Sequence, residues 1–82
     1  MKVSVKLFAM IREIVGYDEI TIRLENQAPT VGDLRTQLLF DYPTLLPLLP
    51  FSQVAVNQEV VGDDVALNAE DEIAILPPVS GG

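Results

Sequence analysis

Thr30-Val31-Gly32-Asp33-Leu34-Arg35-Thr36-Gln37-Leu38-Leu39-Phe40-Asp41-Tyr42-Pro43 is the stretch on which the architecture of this chain turns. A threonine followed three positions on by an acidic residue is a capping signal. The hydroxyl accepts from an unpaired N–H of the first turn, and the carboxylate reaches back to the cap. Val31, Leu34, Leu38 and Tyr42 then recur at helical spacing, and Pro43, which has no N–H to give, ends the run. This spacing predicts the main helix of the chain, with one apolar face that a sheet must cover. Gly32 is a weak position early in it.

The flanks supply the sheet. Upstream, Val3, Val5 and Leu7 alternate with Lys2, Ser4 and Lys6, the pattern of a half-buried strand. Phe8 falls on the polar face of that strand, where a large aromatic is unexpected. Ala9–Val15 predicts a short helix with Phe8, Ile11 and Val15 at helical spacing, stopped by Gly16. Ile20, Ile22 and Leu24 alternate with Thr21, Arg23 and Glu25 in a second strand, and residues 26–29 turn.

Downstream, Pro43, Pro47 and Pro50 punctuate a loop holding Leu45, Leu46, Leu48 and Leu49. Four leucines in a loop serve either a partner or the core, and core packing is the commoner use in a small domain. Val54 and Val56 form a short strand, Asn57-Gln58 turns it, and Val60-Val61 begins the return. Asp63-Asp64 reads as a solvated turn, because two carboxylates with no further ligand pattern make a poor metal site. After a turn within residues 67–71, Ile73 and Ile75 point inward from the last strand, while Glu72, Ala74 and Leu76 point out.

Strand, short helix, strand, main helix, short strands and last strand predict an α+β chain, a mixed sheet packed on one main helix. In the β-grasp version of that arrangement the last strand lies parallel to the first, in the middle of the sheet. Phe8 and Leu76 then share the outward face at the C-terminal ends of adjacent parallel strands, an exposed apolar pair. The expected division is a domain over residues 1–76 and a flexible projecting tail over 77–82.

That tail is Pro77-Pro78-Val79-Ser80-Gly81-Gly82. Two prolines fix φ and cannot donate to a ladder, so the strand stops at Leu76 and the chain leaves extended. Four residues past Pro78 reach at most roughly 14 Å, enough to enter a pocket on another protein. Terminal glycines carry no Cβ, which lets the Gly82 carboxylate thread a narrow channel and be attacked without hindrance. A frayed terminus fits the same residues equally well.

Composition narrows the chemistry. The chain has 82 residues, 49% hydrophobic, enough for one small core despite a net charge of −7. It holds no cysteine and no histidine, which removes disulfides, thiolate metal sites, histidine zinc sites, Ser-His-Asp triads and Cys-His pairs. Residues 1–35 balance five basic against five acidic side chains, whereas residues 36–82 hold seven acidic and no basic ones. Nucleic acid is an unfavourable partner for such a surface. A basic protein partner fits it, and so does plain solubility. The N-terminal residues alternate where a signal peptide would be apolar, and no stretch approaches membrane-spanning length, so a cytoplasmic chain with no membrane partner is expected.

Leu7-Phe8-Ala9 with Arg12-Glu13 and Gly16, Thr30-Val31 at the helix start, Ala55-Val56-Asn57-Gln58, Asp71-Glu72-Ile73-Ala74 and Pro77-Pro78-Val79-Ser80-Gly81-Gly82 together span almost the whole length. In these residues the chain resembles the ubiquitin-like sulfur-carrier family formed by the small subunits of molybdopterin synthases. The resemblance implies that an adenylating, ubiquitin-activating-like enzyme uses ATP to turn the Gly82 carboxylate into an acyl-adenylate. Sulfur then replaces AMP, leaving a thiocarboxylate on Gly82. The tail, Pro77, Pro78, Val79, Ser80 and Gly81, next enters the large synthase subunit, which uses the sulfur to build the dithiolene of molybdopterin. It also implies no bound cofactor or metal, no catalysis by the chain alone, and two small with two large subunits. A chain without thiols fits a scheme in which the terminal acyl group carries the sulfur.

In the family an apolar docking surface matches Phe8, Val60 and Leu76, and Arg12 matches a position that contacts the adenylating enzyme. One departure is visible: Ala69-Glu70 stands where the family has aspartate-glycine, which puts the turn geometry there in doubt. Two rivals share the glycine-glycine end. Thiamine-pathway sulfur carriers tend to be shorter and lack the Pro-Pro-Val-Ser lead-in, and ubiquitin-like modifiers conjugate to lysines. A plain structural module is the reading left if the tail is inert.

Overall fold

The computed structural model describes residues 1–78. Val79, Ser80, Gly81 and Gly82, on which the predicted reactive terminus falls, lie outside the described residues.

The chain runs β1 (Lys2–Leu7), α1 (Ala9–Val15), β2 (Glu19–Arg23), α2 (Val31–Asp41), two 3-10 turns (Pro43–Leu45 and Leu49–Phe51), β3 (Gln53–Val56), β4 (Glu59–Val61) and β5 (Ile73–Leu76). The strands form one mixed sheet in the order β2-β1-β5-β3-β4. β1 and β2 are antiparallel, with Val5 opposite Ile20. β5 lies parallel to β1 on one side and antiparallel to β3 on the other. This is the expected β-grasp.

Strict alternation builds one buried face from Val3, Val5, Leu7, Ile20, Ile22, Val54, Ile73 and Ile75. Val31, Leu34 and Leu38 of α2 pack against it, joined by Ile11, Leu45 and Leu49. The predicted cap forms in full: the Asp33 N–H donates to Thr30 Oγ1, and the Thr30 N–H donates to Asp33 Oδ2 at 2.9 Å. Such a box stabilises a helix by about 1 kcal/mol. Gly16 ends α1 in the left-handed region, φ 93°, its N–H donating to the Arg12 carbonyl. The leucine loop divides, with Leu45 and Leu49 buried, Leu48 half-buried and Leu46 exposed.

Asp63-Asp64 is the exposed turn expected, the Asp63 side chain being 62% exposed, with a tie that local spacing does not show: its carboxylate accepts from Arg35 Nε at 2.8 Å and its carbonyl accepts from the Gly32 N–H. One expectation needs correcting. The turn carrying Ala69-Glu70 needs no positive φ; among the described non-glycine residues only Ala9, Asn57 and Gln58 have one. That turn is closed by Asp71, whose N–H donates to the Asn68 carbonyl and whose carboxylate accepts from the Asn68 N–H at 2.8 Å. A side-chain bond does there what the family's glycine does by conformational freedom.

Asn57 makes a second stitch. At φ 53°, followed by Gln58 at 71°, it forms the two-residue turn joining β3 to β4. Its side-chain oxygen accepts from the Glu72 N–H at 3.0 Å, and its backbone N–H donates to the Glu72 carbonyl at 2.7 Å. The start of β5 is thereby tied to the β3–β4 turn.

Arg35 ties the loops to the helix. Nη1 donates to the Leu49 carbonyl at 2.8 Å and Nη2 to the Ser52 carbonyl at 2.7 Å, while Nε holds Asp63. Its side chain is 19% exposed, so these charge-assisted bonds are partly shielded from water. We predict that Arg35→Ala lowers stability by about 2 kcal/mol, a fall in Tm on the order of 10 °C. Arg35→Lys recovers less than half of that, because a point charge cannot span three acceptors as the guanidinium fork does. Thermal melting of both variants checks this, and a lysine variant melting with the wild type would refute it.

Candidate functional site

The outer face of the sheet, turned away from α2, carries the predicted docking residues. Lys6 pairs with Ala74, Ala74 with Ala55 and Ala55 with Val60, so these four form one row across β1, β5, β3 and β4. The two central alanines keep the middle of the row low. Val60 stands at its edge, 51% exposed. At the other end the Lys6 ammonium meets Glu72 Oε1 at 3.2 Å, both side chains half exposed, a pair that adds little to stability.

The next row begins where the strands end. Leu7 pairs with Ile75, and Phe8 and Leu76 follow one residue on, side by side at the same end of the sheet. Phe8 is extended, φ −131° and ψ 155°, and serves as the N-cap of α1. Its carbonyl accepts from the Ile11 and Arg12 N–H groups, so its ring keeps strand parity and stays outside, 42% exposed. Leu76 and Pro77 are half-buried and Pro78 is exposed. The stem therefore leaves from a central strand, with apolar surface at its root.

Arg12 sits on the far side of Phe8. It lines an open cleft of about 390 Å³ with Lys6, Leu7, Phe8, Asp18 and Glu19. Among the described residues its guanidinium makes no ion pair. Phe8, Leu76 and Arg12 are thus gathered at one end of the sheet, and Val60 lies two strands away from Leu76 on the same face.

The sequence reading passed over one residue at this end. Phe51 lies just before β3 and lines a cleft with Gln53, Pro77 and Pro78. Its exposure follows from the 3-10 turn Leu49–Phe51, where Leu49 and the following Ser52 are the buried residues, and a proline-broken loop hides that turn in the sequence.

Among the described residues no cluster of three or more carboxylates could hold a metal ion, and no helix is long and apolar enough to cross a membrane. What stands out is an apolar platform around an emerging stem.

Fold and platform together define a ubiquitin-like β-grasp domain that presents its last strand's exit. The ThiS family model matches residues 5–82, and the chain belongs to that family. It is similar to the molybdopterin synthase sulfur carrier subunit of Dictyostelium discoideum, 42% identical over 96% of this chain and 94% of that protein. The solved structure of SAMP1 from Haloferax volcanii superposes with a TM-score of 0.85 at 31% identity, covering 100% of both chains. Subunit 1 or 2 of a Helicobacter pylori molybdopterin-converting factor complex matches at TM-score 0.69 and 28% identity, covering 100% of both chains.

The outer face should behave as free surface. Val60→Ser is expected to change stability by less than about 1 kcal/mol in urea unfolding, whereas Ile73→Ala, from the inner face of the same sheet, should cost about 2–5 kcal/mol. Equal losses would mean that Val60 is held as firmly as the core.

Proposed function

We propose that this chain is a sulfur carrier for molybdopterin synthesis, with the Gly82 α-carboxylate as its reactive group. The observation that carries the reading is the exit of a central strand through Pro77-Pro78 toward Ser80-Gly81-Gly82, in a chain matched to residue 82 by its family model. Relatives named as molybdopterin synthase sulfur carrier subunits, including one from Escherichia coli 35% identical over 98% of this chain, support it.

In this reading an adenylating enzyme binds the apolar platform and Arg12. The Gly82 carboxylate oxygen attacks the α-phosphorus of ATP and pyrophosphate leaves. Hydrosulfide from the sulfur donor then attacks the acyl carbon, AMP departs with the bonding pair and the S–H proton passes to solvent, leaving the thiocarboxylate. The loaded tail enters the large synthase subunit through the same platform of Phe8, Leu76 and Val60, and that subunit supplies the catalysis. The chain contributes shape, reach and an unhindered acyl carbon, and ATP is consumed by its partner. The work is placed in the cytoplasm, where no membrane partner is required.

The test is mass spectrometry after incubation with the adenylating enzyme, ATP and a sulfur donor. Sulfur for oxygen has nearly the same nominal mass shift as methionine oxidation, so the shift must be localised by fragmentation to the C-terminal peptide and away from Met1 and Met10. Deleting Gly82 is expected to leave the melting curve unchanged and abolish sulfur loading. A truncated chain that still restored molybdopterin synthesis in carrier-deficient cells would sink the reactive-terminus idea.

A second reading is favoured by one observation. The chain is also 36% identical to small archaeal modifier protein 3 of Haloferax volcanii, over 100% of both proteins. Attachment of Gly82 to lysine amines would give higher-mass adducts in cell extracts, and their absence alongside thiocarboxylate would leave the carrier alone.

A further inference from the structure

The surface at the root of the stem continues past the residues used so far. In a 3-10 turn, residues three apart share a face, and here Leu49 and Ser52 turn inward together. Leu49 joins the core, and the Ser52 hydroxyl donates to the Leu48 carbonyl at 2.8 Å. Phe51 is left facing water, 73% exposed. Its exposure is a consequence of local geometry, since turning its ring inward would turn Leu49 and Ser52 out.

The ladder's end decides what Phe51 stands near. Gln53 pairs with Leu76 as the last pair of β3 and β5, so Phe51 and the Pro77-Pro78 stem both lie just beyond that end. Phe51, Gln53, Pro77 and Pro78 line one open cleft of about 310 Å³. That is room for a side chain, next to the tail.

We propose that this cleft is a second docking subsite, anchored by Phe51, that takes an apolar side chain from the partner receiving the tail. It rests on the sulfur-carrier reading above. Continuity is the first argument: Leu76 is shared between the two surfaces, in register with Gln53 on one side and one residue past the Leu7–Ile75 pair on the other. A partner that covers both flanks of Leu76 meets Phe8 on the β1 side and Phe51 on the β3 side. The second argument is preorganisation. Two prolines and an aromatic ring have few conformations to lose when a neighbour settles on them. The net charge of −7 opposes a second copy of this chain as the occupant.

Calorimetric titration of the full chain with the large synthase subunit of the same organism reads the subsite. Phe51→Ala is expected to weaken binding about tenfold, or 1.4 kcal/mol, with Tm unchanged. Phe51→Leu, which keeps an apolar group of similar reach, should stay within about threefold of wild type. Sulfur loading of Gly82 is measured in parallel on every protein. Wild-type affinity in Phe51→Ala, while the wild type loads and binds normally, overturns the subsite and leaves the carrier function standing. A lowered Tm with equal losses in both variants also overturns it, marking Phe51 as structural. A wild-type chain that neither loads sulfur nor binds the large subunit overturns the carrier reading, and the subsite falls with it.

Discussion

Parallel pairing of β1 with β5 is the constraint from which the rest of the molecule follows. Two parallel neighbours cannot be joined by a tight turn, so the chain between them must travel, and here it uses that length for β2, α2, the leucine loop and the β3–β4 hairpin. Placing β5 in the centre buries Ile73 and Ile75 against α2 and closes the gap between two antiparallel pairs. The same placement puts the ends of β1 and β5 together, which is why Phe8 and Leu76 are neighbours although 68 positions separate them in the sequence. The core and the platform are two faces of one pairing.

The loops are held by polar side chains more than by turn residues. Arg35 binds three acceptors on two segments, Asn57 locks the entry to β5, and Asp71 closes the turn before it. Each uses a side chain to replace what glycine or a longer ladder would otherwise supply. An 82-residue chain without cysteine, and so without disulfides, has few other means of ordering its connections.

Periodicity made most of the fold legible. The Thr30–Asp33 cap, the Val31-Leu34-Leu38 stripe and the alternation of Ile73 and Ile75 are local patterns with one dominant physical cause, and each appears as expected. The outward placement of Phe8 and Leu76 followed from parity as well. What escaped was settled by contacts far apart in the chain. The hold of Arg35 on the exposed Asp63 spans 28 residues and leaves no local pattern. Ala69-Glu70 looked strained because the compensating carboxylate of Asp71 could not be seen to bond Asn68. Phe51 was hidden for another reason: three prolines and four leucines made its segment read as one irregular loop, when a 3-10 turn had fixed which residues face in.

The direction in which the stem leaves the sheet has a mechanical meaning. Pro77 continues from β5, whose backbone bonds run sideways to β1 and to β3. A pull along the stem is therefore directed along β5, and it loads the bonds on both edges at once, in shear. It cannot peel them open one after another, as a pull on the edge strand β4 could. A partner can draw on the tail without unravelling the domain that carries it.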